Sequence, residues 1–178
     1  MKKHLFTALF LTALPFHTAN AACTITPKGI GGVKLGQTLA QVKRAFPQMK
    51  VRSESDAEGV EMWRLPVAPN AVVYAHVEEE RRGRIDFLET FSAACRTKDG
   101  VHPAMRLTQV AQKWGRLRNI TMSEIEMRQF AQFARQPARI GLRVDGGDFG
   151  TQEADAELPL NTSKASPGAK VLSIQIAR

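Results

Sequence analysis

Residues Gly32-Val-Lys-Leu-Gly-Gln-Thr-Leu-Ala-Gln-Val-Lys-Arg-Ala-Phe-Pro47 and Gly100-Val-His-Pro-Ala-Met-Arg-Leu-Thr-Gln-Val-Ala-Gln-Lys-Trp-Gly115 align without a gap at an offset of 68 positions. Five of the sixteen positions are identical (Gly32/Gly100, Val33/Val101, Leu39/Leu107, Gln41/Gln109 and Val42/Val110), and Phe46 meets Trp114, aromatic for aromatic. Apolar residues recur at helical spacing in both copies: Leu39, Val42, Ala45 and Phe46, then Leu107, Val110, Ala111 and Trp114. Thr38 is suited to cap the first helix and Pro47 to stop it, while Gly115 ends the second. The shared residues are apolar or amide-bearing, so the match predicts architecture, one unit used twice, and carries little chemistry.

Each predicted helix is followed by strand-like segments. In the first half these are Met49 to Glu54, Val60 to Val67, Ala71 to Glu78 and Arg84 to Phe91, divided by the turn residues Asp56-Ala57-Glu58-Gly59, Pro69-Asn70 and Arg82-Gly83. The second half offers Leu117 to Met122, Ile125 to Phe133, Ala138 to Val144 and Val171 to Ala177. The composition of Ile125 to Phe133 also suits a helix, and its place in the repeat decides for strand. The predicted fold is α+β: two similar lobes, residues 22–95 and 96–178, each a short helix packed on a four-stranded antiparallel sheet. Residues 145–170 are polar and rich in Gly, Ser and Pro, which predicts a mobile hairpin loop.

The N-terminus predicts export. Lys2 and Lys3 form a positive start, Leu5 to Leu14 is an apolar run ended by Pro15, and Ala19-Asn20-Ala21 supplies small residues for cleavage. The run is too short for a spanning helix, which needs about 20 apolar residues. Residues 1–21 therefore read as a signal peptide, and the mature chain as a soluble periplasmic protein. Cys23 and Cys95 are the two cysteines of the chain. In an oxidising compartment they predict a disulfide closing a loop of about 70 residues, worth about 4 kcal/mol in the chain-entropy model. The alternative is an outer-membrane lipoprotein acylated on Cys23. Asn20-Ala21-Ala22 lacks the apolar residue expected three positions before such a cysteine, so the disulfide is preferred.

Removal of Lys2 and Lys3 lowers the formal charge from +8 to +6. A basic exported protein suggests a solvated surface or attraction to anionic envelope material. No nucleic-acid recognition motif is present and the export signal argues against such a partner.

For catalysis, the mature chain offers His76 and His102. A His76-x-Glu78 pair would supply two metal ligands, but no third stands at hand. Cys95 and His102 lie seven residues apart, yet a disulfide removes the thiol. Asp145, Asp148, Glu153, Asp155 and Glu157 do not fit the spacing of a calcium loop and read as a solvated acidic stretch. Gly29-Ile-Gly-Gly32 lacks the Lys-Ser/Thr of a phosphate loop and reads as a flexible lead into the helix. No metal or cofactor and no enzymatic activity are expected, and hydrolysis ranks last among the functions considered. Most strand aromatics should pack between sheet and helix. Trp63, Tyr74, Phe130, Phe133 and Phe149 are the candidate partner-binding residues, to be ranked by exposure.

The segment Leu35-Gly-Gln-Thr-Leu-Ala-Gln-Val42 resembles the helix entry of β-lactamase inhibitor protein and of the small lipoproteins of the outer-membrane β-barrel assembly machinery, where an apolar residue precedes Gly-Met-Thr and then x-x-Gln-Val. Gly36 and Thr38 keep two of the three central residues, and the second copy, Ala104-Met105-Arg106, keeps the methionine. The resemblance implies helices packed on antiparallel sheet and, for the tandem inhibitor, a concave sheet face that grips a protein. The expected function is thus non-catalytic binding of another envelope or extracellular protein, inhibitor-like in form. The alternative is a basic binder of lipopolysaccharide or peptidoglycan fragments.

Overall fold

In the computed structural model, residues 23–56, 58–78, 83–123, 127–150 and 160–178 are described. The strands of the first half are β1 (Thr24–Thr26), β2 (Gly29–Ile30), β3 (Val33–Lys34), β4 (Arg52–Ser55), β5 (Glu61–Ala68), β6 (Ala71–Glu78) and β7 (Arg84–Thr90). Those of the second are β8 (Arg96–Thr97), β9 (Leu117–Met122), β10 (Gln129–Phe133), β11 (Ile140–Val144), β12 (Asn161–Thr162) and β13 (Val171–Ala177). Helices α1 (Leu39–Ala45) and α2 (Leu107–Trp114) complete an α+β chain dominated by sheet.

Capping explains where the helices begin. The Thr38 hydroxyl accepts from the Gln41 N–H at 3.3 Å, and Gln41 Oε1 accepts from the Thr38 N–H at 2.9 Å. At α2 the N-cap is Arg106, whose guanidinium has no acceptor. Half of the box survives, Gln109 Oε1 accepting from the Arg106 N–H at 3.1 Å. Val42 faces the core from α1, and Leu107, Val110 and Trp114 from α2. Buried Trp114 satisfies its Nε1–H on Asp99 Oδ2 at 3.0 Å.

Each helix entry is also tied to the last long strand of its own half. Gly36 N–H donates to Ile85 O and Ile85 N–H to Gln37 O, at 2.7 and 2.8 Å. At the aligned positions Ala104 N–H donates to Val171 O and Val171 N–H to Met105 O, at 2.8 and 2.9 Å. Gly36 has φ of +83° and Ala104 of +70°, so the second copy holds without glycine a left-handed turn that the first makes with it.

The long strands form one sheet where two had been expected. Its order is β12-β9-β10-β11-β13-β7-β6-β5-β4, nine strands with antiparallel pairing throughout. The seam is the β7/β13 pair, in which Thr90, Glu89, Leu88 and Phe87 oppose Ile174, Gln175, Ile176 and Ala177. Separate sheets would leave β7 and β13 as exposed edges with unpaired backbone groups, and joining them satisfies both. The buried cluster is correspondingly continuous, with Leu65, Val73, Leu88 and Val42 of the first half and Val110, Trp114, Leu142 and Ile174 of the second.

One reading of irregular sequence is corrected. Gly29 to Gly32 is no loose lead, since β2 and β3 form a hairpin in a four-stranded sheet of order β3-β2-β1-β8. The Cys23–Cys95 disulfide lies beside the parallel β1/β8 pair, and both cysteines are buried. The 145–170 segment, expected as a mobile hairpin loop, is held by hydrogen bonds on both flanks. Asp148 N–H donates to Lys164 O, Gly147 N–H to Gln129 Oε1, and Asn161–Thr162 pair with β9. Glu153, Asp155 and Glu157 lie outside the described residues, as do the expected signal peptide and the start of the Ile125 to Phe133 strand.

Candidate functional site

Strand alternation decides which side chains meet on the open side of the sheet. On β6, Ala71, Val73 and Ala75 are buried in the core, which turns Val72, Tyr74 and His76 to the opposite face. Tyr74 then pairs across the strands with Glu89, and His76 with Phe87. The register slips between His76 and Val77, leaving Asp86 as an extra residue on β7. At this bulge the His76 Nδ1–H donates to Asp86 Oδ1 at 2.7 Å.

Glu58, in the β4/β5 turn, forms an ion pair with Arg128, which leads into β10. Four strands, β11, β13, β7 and β6, lie between β10 and β5 in the sheet. Laid flat, five inter-strand steps of about 4.8 Å would separate those strands by about 24 Å. Contact between the two tips therefore requires the sheet to curl, with the open face on the inside.

The hollow so formed has a volume of about 610 Å³. It draws Glu54, Met62, Tyr74, His76, Phe87 and Glu89 from one half and Arg128 and Arg143 from the other. Among the described residues three large apolar side chains are strongly exposed, and two of them, Val60 (42%) and Phe91 (49%), line this hollow; the third, Met127 (53%), precedes the lining residue Arg128 in the chain. Phe91 packs edge-on to Tyr74, with ring centroids 5.9 Å apart. On the floor, Glu89 is 8% exposed and accepts hydrogen bonds from the Ser173 hydroxyl and from Gln175 Nε2. A second hollow of about 460 Å³ shares Phe87 and is lined by Arg139, Gly141, Gln175 and Arg178.

The candidate aromatics are dispersed by the fold. Tyr74 lines the groove. Phe130 lies on the same face, opposite Arg143, outside the groove lining. Phe133, 2% exposed, is part of the core and offers no binding surface. Trp63 and Phe149 are partly buried and pack against that core. Alternation accounts for this: Phe133 falls on the same face as buried Ala131, and Trp63 opposite buried Ala75. Sequence reading counted Phe87 among the strand aromatics without naming it a candidate, and missed Glu89 and Phe91; the spacing of two from Phe87 to Phe91 was the available signal.

His76 makes no hydrogen bond to a Ser, Thr or Cys side chain among the described residues. Among the same residues no group of three His, Cys, Asp or Glu is arranged to hold a metal. The site's chemistry is that of a polar-floored, aromatic-walled groove.

Neither a protein-family model nor a curated protein matches the sequence. The fold does match a solved structure, the uncharacterized protein yfeY from Escherichia coli, with a TM-score of 0.55 at 15% sequence identity. The match covers 87% of this chain and 99% of that one, and at such identity it is a likeness of fold alone.

Proposed function

We propose that this chain is an exported, non-catalytic binding protein that grips another envelope or extracellular protein on the curled face of its sheet. One observation carries the reading: the strongly exposed apolar side chains Val60 and Phe91 both line the groove that spans both halves. Exposed apolar side chains gathered around a polar-floored hollow are how protein-binding sites are built. The duplicated helix entry agrees with two copies of one unit sharing that surface. Export rests on the Lys2-to-Ala21 pattern, and the disulfide occupies the Cys23 sulfur that acylation would need.

Capture from cell-envelope extract tests the reading when wild type is compared with Phe91→Asp. A protein held by the wild type and released by the variant supports it. Equal retention on both overturns it, as would turnover of an envelope substrate that is lost on replacing His76.

A second reading, binding of an anionic lipopolysaccharide or peptidoglycan fragment, is favoured by Arg139 and Arg178 around the smaller hollow. Retention that collapses between low and physiological salt, and that disappears in Arg139→Gln, would select this reading over the first.

A further inference from the structure

Resting on the protein-binding reading, we infer that Glu89 is the receptor for a cationic side chain, best an arginine, presented by the partner. The inference starts from a charge that the fold leaves uncompensated. A carboxylate this deeply buried usually has a cation beside it, because a lone ion loses much of its hydration. The donors to Glu89 are neutral, the Ser173 hydroxyl and the Gln175 amide. Among the described residues no Lys, Arg or His forms an ion pair with it, and Arg143, which lines the same groove, is no exception.

The geometry leaves one oxygen for a ligand. Both hydrogen bonds fall on Oε1, so Oε2 accepts from no donor in the described protein. Nor is Oε2 sealed in, since among the described residues no buried side-chain oxygen or nitrogen lacks a partner. Glu89 belongs to the groove lining, which makes the groove the approach to that oxygen. Tyr74 is its cross-strand neighbour, Phe91 packs on Tyr74, and Phe87 completes the aromatic wall. A carboxylate oxygen among ring faces suits a guanidinium, which donates to the oxygen while stacking on the rings. The groove lining carries four carboxylates, Glu54, Asp56, Glu58 and Glu89, against two guanidiniums, Arg128 and Arg143; Glu58 pairs with Arg128, and Glu54 with Arg64 outside the lining. The exposed Val60 of the same lining then fits an apolar residue flanking the arginine.

The test is an NMR titration of the disulfide-intact protein with Nα-acetyl-arginine amide, using the neutral citrulline analogue as control. Saturable shifts at Tyr74, Glu89 and Phe91 are expected, absent with citrulline. Glu89→Gln, which preserves shape and an acceptor for Ser173 and Gln175, should weaken binding at least about tenfold. Phe91→Ala, at the exposed rim, should weaken it several-fold without touching the floor. Equal binding of citrulline, undiminished binding by Glu89→Gln, or no saturable shift overturns the inference. The broader reading is separable: a captured protein retained by Glu89→Gln but lost by Phe91→Asp would sink the arginine socket and leave the binding face standing.

Discussion

Glu58 and Arg128 join turns of strands β5 and β10, which the sheet order separates by four intervening strands. Both side chains line the groove, and they are 32% and 18% exposed. A pair this accessible contributes about 1 kcal/mol at most. A double-mutant cycle of Glu58→Ala and Arg128→Ala should return a coupling of that size in urea unfolding. Amide exchange in both turns should quicken in either single variant while the core strands stay protected.

The disulfide should matter more. Cys23 and Cys95 close 72 residues of sequence, and the double alanine variant should lose about 3–5 kcal/mol of unfolding free energy. Mass spectrometry of exported protein should find a chain that starts at Ala22 or Cys23 and is two mass units lighter than the dithiol. A diacylglyceryl mass on Cys23 would refute both the bond and the processing site.

Gly36 and Ala104 provide an internal control for backbone strain. Gly36→Ala should cost about 1 kcal/mol, since its φ of +83° disfavours a Cβ. Ala104→Gly should stabilise by about 0.5 kcal/mol, relief of the left-handed alanine outweighing the greater chain entropy of glycine. Paired urea titrations would show opposite signs at aligned positions.

Asp99 should be worth testing through its partner. Asp99→Ala strands the Trp114 indole N–H, whose residue is 1% exposed, and should cost about 1–3 kcal/mol. Asp99→Asn keeps an acceptor and should recover most of that loss in the same thermal or urea assay.

Local pattern made much of the fold legible. Ala71–Glu78, Leu117–Met122 and Val171–Ala177 are strands with the bounds read from the sequence, because each is framed by turns and rich in β-formers. Both helices followed from their apolar period, with Thr38 marking the start of the first and Pro47 and Gly115 the two stops. What escaped was non-local. Two- and three-residue strands such as β1, β2 and β8 are too short to show a period, and the β7/β13 seam leaves no mark in either strand alone. The site suffered from the same blindness. The Asp86 bulge puts Ile85 and Leu88 on one face at a spacing of three, which disguises the face that Phe87 and Glu89 occupy. Phe133 was named for being aromatic, and only the pairing of β10 with its neighbours places it inside.

The seam also sets a timetable. The strand nearest the C-terminus, β13, sits between β11 and β7, at the middle of the large sheet. A chain emerging in order from a ribosome or a membrane pore can form the β4–β7 meander early, but β7 must then wait with a bare edge until residue 177 is out. The nascent protein therefore passes through a stage with two unsatisfied sheet edges, β7 and β11, both templates for wrong pairing. Val171–Ala177 are the residues that join the two halves of the sheet, and delay before they emerge would make this protein vulnerable to misassembly long before its finished stability counts.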